Sequence, residues 1–348
     1  MTSQISHISD EKSAAVCRGL QEAFGTDTTE DMRQITRGLS SDLVFRIVVK
    51  GSPYLLRIMT RINEQMDPRR IYTCMSAASD GGITPRVHYT NADDGISITD
   101  FVETAPLSSL QALQLVPLTL RTLHALPPFP KEFNYVTAHK AFIGRFRTSS
   151  LLPQREIDEV FADYDQLCAI YPRLEEDMVS SHMDLKPDNI LFDGNRIWLV
   201  DWQAGFLNDR YFDLAVAANC LVSTDADESA YLERYFDRSP DEYQQARFFL
   251  MRQFLHLFSA SVFLILGSAG SPIERVDELP SFEEFYRSVW HGDVNFADKG
   301  QQIVCGLLHW NRLLNNLRQP RFGEALRVVS LRHNKTIRAL FPNPKPGV

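Results

Sequence analysis

The tightest constraint in this chain is the stretch 180–202. It reads Ser-Ser-His-Met-Asp-Leu-Lys-Pro-Asp-Asn-Ile-Leu-Phe, an Asp-Gly-Asn turn, then Arg-Ile-Trp-Leu-Val-Asp-Trp. Two apolar pieces, 190–192 and 197–200, flank the turn at 193–195, which is the pattern of a β-hairpin. Polar groups stand at its ends: Asp184 in the loop before it, Asn189 at its opening, Asp201 at its close. A hairpin brings its two ends together, so Asn189 and Asp201 are expected to be neighbours. An amide oxygen beside a carboxylate makes a hard-oxygen site for Mg²⁺. Asp184 is then free to meet a substrate hydroxyl, which is the minimal apparatus for moving a phosphoryl group.

Bulk properties narrow the partners. A chain of 348 residues suits two domains better than one small core. The net charge of −8 argues against a nucleic-acid partner, which would call for a basic surface. Cys17, Cys74, Cys168, Cys220 and Cys305 lack metal-ligand spacing. They read as reduced thiols in a cytoplasmic protein. The N-terminus has no basic-then-apolar signal. The longest apolar run, 254–267, is broken by His256 and two serines. It falls short of the about 20 residues a bilayer span needs, so it reads as a buried helix and no membrane partner is expected.

Apolar spacing predicts a helix over 12–24 and strands over 43–49 and 54–59 around Lys50-Gly51-Ser52-Pro53. Asp67-Pro68 opens a second helix as N-cap and first position, ending near Gly81. Strands follow over 85–89 and 96–101. Helices are expected over 107–126, 137–151 and 154–170, and the chain beyond Ala215 reads as helical. The acidic segment 225–242 reads mostly as a solvated face, and the aromatics of 243–266 mostly as core.

His182-x-Asp184-x4-Asn189, with Asp201 twelve residues further on, resembles the kinase-like phosphotransferases: aminoglycoside phosphotransferases, choline and ethanolamine kinases, and protein kinases. Protein kinases carry Asp-Phe-Gly at the metal strand and a later Ala-Pro-Glu. This chain has Asp201-Trp202-Gln203, then Phe212-Asp213-Leu214-Ala215, and no Ala-Pro-Glu. Those features look like the small-molecule branch, nearest to bacterial choline-kinase-like enzymes.

The resemblance implies an α+β, two-lobed protein-kinase-like fold. Its small antiparallel-sheet lobe would span 1–102, and its larger, mainly helical lobe 103–348. It implies ATP and Mg²⁺ as cofactors, with Asp184 as catalytic base and Asn189 and Asp201 as metal ligands. Ser40, Ser41, Arg57 and Lys186 would contact phosphates, and the backbone at Asp100 and Val102 would face adenine. His182 and Asp213 would brace the catalytic loop. The family's helix carboxylate, expected near Thr73, is missing, and Glu64 is the substitute at hand. The acceptor would be an amino alcohol such as choline or ethanolamine, enclosed by aromatics such as Trp290, Trp310, Tyr286 or Phe254. The alternatives are an aminoglycoside held by the carboxylates of 225–242, another small alcohol or sugar, or a nucleotide-binding non-enzyme of the same fold. A homodimer follows only by analogy with choline kinases.

Overall fold

The computed structural model describes residues 10–35, 42–131, 135–273 and 278–340. These fall into two compact units. The first comprises 1–107, 121–131 and 179–207; the second comprises 108–120, 132–178 and 208–348. This grouping differs from a single cut after Val102. The hairpin of 190–199 joins the sheet-bearing unit, because its backbone is bonded there.

In the first unit α1 (Asp10–Phe24) packs on a five-stranded antiparallel sheet. The strands are β1 (Asp31–Gln34), β2 (Leu43–Val49), β3 (Ser52–Ile58), β4 (Val87–Asn91) and β5 (Ile96–Asp100), in the order β1-β2-β3-β5-β4. Alternation sets the buried face: Phe45, Ile47 and Val49 meet Leu56, Ile58, Ile96 and Ile98, and Ala15, Val16 and Leu20 cover them. The β2–β3 register pairs Leu43 with Ile58 and Val44 with Arg57, which sets Arg57 near the mouth of that hairpin. Helix α2 (Pro68–Asp80) starts where the sequence places it, with the Asp67 carboxylate accepting the Arg69 N–H.

The second unit is helical: α4 (Tyr135–Arg147), α5 (Gln154–Ile170), α6 (Arg210–Leu221), α7 (Asp225–Phe236), α8 (Glu242–Ser268), α9 (Phe282–His291), α10 (Lys299–Leu317) and α11 (Pro320–Leu340). Helix α3 (Ser109–His124) and the strand pair β6 (Met178–Ser181) and β9 (Phe206–Asp209) lie where the chain passes between units. Helix α8 is longer than the apolar run in it suggests. Among the described residues it is the one helix long and apolar enough to cross a membrane by length and composition. Yet it buries Arg247 and His256 completely and packs on α6, α10 and α11, as the core helix of this unit.

The acidic segment is less free than its composition suggests. Asp227 closes a capping box with Thr224, and Asp241 caps α8. Glu228 is buried and pairs with Arg252 at 3.0 Å and with Arg321.

Candidate active site

The hairpin β7 (Ile190–Phe192) and β8 (Ile197–Leu199) pairs Ile190 with Leu199 and Phe192 with Ile197. The ladder runs one step further: the Val200 N–H donates to the Asn189 carbonyl at 3.0 Å. Asn189 therefore stands beside the residue that precedes Asp201. The hairpin is hung on the segment before β4. Leu199 N–H donates to the Ile83 carbonyl at 2.8 Å, Thr84 Oγ1 donates to the Leu199 carbonyl, and the buried Trp202 indole donates to Thr84 Oγ1 at 2.8 Å. On the other side the Ala105 N–H donates to Phe192 at 2.7 Å.

Asp184 is held on one side only. Its Oδ2 accepts Lys186 Nζ at 2.8 Å and Asn189 Nδ2 at 2.9 Å. The same amide nitrogen donates to the Asp184 carbonyl at 2.8 Å. Oδ1 takes no hydrogen bond from a described residue, and the side chain is 41% exposed. The carboxylate is thus oriented by one oxygen and presents the other. The Asn189 amide has its NH₂ end committed to Asp184, so its oxygen end is the donor available to a cation. Burial works against the Lys186 charge, but Asp184 outweighs it and raises the pKa above the ordinary lysine value.

His182 is fully buried against Trp202, their ring centres 4.7 Å apart. Its Nδ1 accepts the Asp184 N–H at 3.3 Å, so Nε2 donates to the Val200 carbonyl at 2.9 Å. One imidazole thereby ties the loop of Asp184 to the strand end of Asp201. Both chain segments carry a left-handed residue there, Met183 at φ 67° and Asp201 at φ 68°. For side chains of this kind such backbone is uncommon, and it concentrates at functional sites.

Asp201 Oδ1 accepts Arg57 Nη1 at 3.1 Å. Burial alone would push the Asp201 carboxyl up, but the cations of Arg57 and then Lys186 outweigh it and hold the group below the usual carboxylate range. Arg57 has a second partner that the sequence did not suggest: Asp42 Oδ2 accepts its Nε at 3.0 Å. Glu64 is exposed and makes neither contact, and Thr73 turns its hydroxyl onto the Arg69 carbonyl at 2.7 Å. Helix α2 serves this region through a cation instead. Arg70 donates to the carbonyls of Gln203 and Gly205, at 2.9 and 3.0 Å, and fixes the turn after Asp201.

Ser40 and Ser41 lie outside the described residues. Asp100 spends its N–H on the Arg86 carbonyl and its carboxylate on His88, whereas Val102, just past β5, takes no part in the sheet ladder. Asp213 is fully buried in α6. The aromatics named for the acceptor do not form one group. Trp310 is core, packed edge-on to Phe146 with its indole donating to Glu156 at 3.1 Å. Tyr286 belongs to a separate cluster and shares a hydrogen bond with His309. Trp290 donates to the Cys220 carbonyl at 3.1 Å, and Phe254 sits at the margin of the Trp310 cluster.

Among the described residues no three His, Cys, Asp or Glu side chains gather into a metal site. The donors present are one carboxylate, held ionised, and one amide oxygen. That set fits Mg²⁺, which binds through one or two protein ligands with phosphates and water completing its shell.

The sequence model of the phosphotransferase enzyme family matches residues 31–249, more than half of the chain and all of the hairpin site. The chain belongs to that family. Within this phosphotransferase family, protein LicA of Haemophilus influenzae is 27% identical over 180 residues, 48% of this chain and 52% of LicA. A second Haemophilus influenzae LicA sequence matches over 66% of its length, so the chain spans between about half and two thirds of these curated relatives. The structure of a choline/ethanolamine kinase family protein from Mesorhizobium loti superposes with a TM-score of 0.63 at 18% identity, covering 92% of this chain and 99% of that one. Choline kinase LicA from Streptococcus pneumoniae superposes at 0.54 and 15% identity, covering 80% and 97%. The fold is α+β, two-lobed and protein-kinase-like.

Proposed function

We propose that this phosphotransferase is an ATP-dependent small-molecule kinase whose acceptor is an amino alcohol such as choline or ethanolamine. The observation that carries the proposal is the divided Asp184 carboxylate. One oxygen is fixed by Lys186 and Asn189, and the other takes no hydrogen bond from a described residue. A base for a substrate hydroxyl needs this arrangement, an oriented acceptor within reach of an incoming O–H. Asp184 receives or orients that proton. Lys186, 45% exposed, can exchange Asp184 for a phosphate oxygen without losing a buried partner. Arg57 presents its guanidinium fork to the phosphates. Asn189 and Asp201 would hold Mg²⁺, which when bound neutralises charge on the transferring group. The amino-alcohol acceptor is supported by the similarity to LicA and to the Mesorhizobium loti kinase. The five free cysteines fit a reducing, cytoplasmic setting.

Turnover of ATP measured against choline, ethanolamine, thiamine and kanamycin tests this reading. Choline or ethanolamine is expected to lead, and Asp184→Ala to lose the activity. If wild type binds no Mg-ATP by calorimetry, the kinase reading fails. If kanamycin alone turns over, only the choice of acceptor fails.

A further inference from the structure

The carboxylate that steers the nucleotide-binding cation comes from the sheet rather than from the helix. We propose that Asp42 is the positioning residue for Arg57, and that with Gln203 it couples the start of β2 to the turn that carries Asp201. The proposal rests on the kinase reading above and adds to it a residue and a direction of assembly.

The Asp42 side chain is 2% exposed. A buried carboxylate is costly unless donors surround it, and here they do. Oδ2 accepts Arg57 Nε at 3.0 Å and Gln203 Nε2 at 2.9 Å, and Oδ1 accepts the Thr60 N–H at 3.2 Å. The arrangement is specific. A guanidinium is planar, so gripping Nε from the buried side sets the plane of the whole fork. Nη1, on the edge away from Nε–H, then meets Asp201 Oδ1 at 3.1 Å. Gln203, the residue two beyond Asp201, is drawn to the same carboxylate oxygen as Arg57. The cation, the metal-side carboxylate and the turn behind it therefore share one anchor.

The isosteric Asp42→Asn keeps an acceptor for Thr60 and removes the charge that grips Arg57. The expected result is a rise of about 10-fold or more in the KM for ATP, with the acceptor KM unchanged, since positioning losses fall on the ligand being positioned. Calorimetry with ATP in EDTA reads the same weakening without turnover or metal. Added to Arg57→Gln, the Asp42 change is expected to cost nothing further, the signature of two residues acting as one unit. Should Asp42→Asn not fold, Gln203→Leu tests the same anchor, with an expected loss of about 3-fold in ATP affinity. ATP affinity within 2-fold of wild type in both variants, or fully additive losses in the double variant, overturns the inference and reduces Asp42 to a brace for the strand end. A wild type that binds no ATP overturns the kinase reading and this inference together; a wild type that binds while both variants bind as well overturns this inference alone.

Discussion

Two arginines in this protein are each held by two aspartates, and they are held for opposite ends. Arg57, in the first unit, joins Asp42 and Asp201 and keeps 19% of its side chain open to solvent. Beside it Asp184 and Lys186 pair while both stay nearly half exposed. Arg247, in the second unit, has no exposure at all. It meets Asp177 at 3.0 Å and Asp209 at 2.5 Å, with the rings of Tyr171 and Tyr211 against its guanidinium at 4.5 and 4.8 Å. Burial pushes the Asp209 carboxyl up, and Arg247 opposes that without cancelling it. The difference is one of exchange. A half-exposed pair adds only about 0–1 kcal/mol to stability, so it can release its partner to a ligand cheaply. A sealed cluster has nothing to exchange with, and losing one member strands the others.

The comparison can be broken at either end. Asp184→Ala is expected to lower kcat by about 10²–10⁴-fold while shifting unfolding stability by less than about 1 kcal/mol. Steady-state kinetics and a urea titration on the same preparation check both halves. A large stability loss would show that Asp184 belongs with the sealed type. Arg247→Met is the converse. It leaves the buried Asp209 without its cation, while Asp177 keeps Arg210 at 3.2 Å, and the expected cost is about 3–5 kcal/mol in unfolding free energy. Urea midpoints read this directly, and a loss below 1 kcal/mol would mean that solvent reaches the cluster.

The same contrast explains what the sequence disclosed. The hairpin site was legible because its groups lie within about twenty positions of one another, and because turn chemistry and period 2 fix their order. Asp184, Asn189 and Asp201 could be named from spacing alone. Asp42 could not, because its bond to Gln203 crosses 161 positions and no local pattern records it. The family resemblance points to Thr73 and Glu64 because it places a carboxylate on the helix, whereas here α2 supplies Arg70. Trp310 misleads for another reason. Core and aromatic pocket use the same residue types, and only its burial edge-on against Phe146 of α4 assigns it to the core. The strands β1, β6 and β9 have four residues each, too few to establish a period. In α8 the apolar residues run round the whole helix, so periodicity gives no face and no hint of a buried Arg247.

A third buried polar group sharpens the sealed side of the comparison. His256 and His309 share a hydrogen bond between their Nδ1 atoms at 2.9 Å, and His309 also meets Tyr286. Burial, with His309 next, holds His256 well below its usual range, and burial, with Arg312 next, brings His309 down to about 3. The unfolded chain takes up these protons near pH 6.5, and the folded chain resists them. Stability is therefore complete above that pH and is lost progressively as pH falls toward 3. Each histidine accounts for about 2 kcal/mol between pH 7 and pH 5. His309→Asn is expected to show a loss over that interval smaller than wild type by about that amount, whatever its stability at pH 7. Equal losses would mean that His309 is already open to solvent protons.

The smallest expected effect concerns a residue that is absent. Thr73→Glu restores a carboxylate where kinase-like folds carry one. If Arg57 lacked a proper partner, this change should tighten ATP binding. Arg57 is already gripped through Nε by a buried carboxylate, and Thr73 lies on the exposed side of α2 with its hydroxyl turned to the Arg69 carbonyl. A new glutamate there gains solvent, not a cation. Stability is expected to stay within about 0.5 kcal/mol of wild type, as for surface changes in general, and the ATP KM within 2-fold. A clear gain in ATP affinity would show that α2 can rotate a side chain onto Arg57, and that the exchangeable pair of this unit has a second anchor held in reserve.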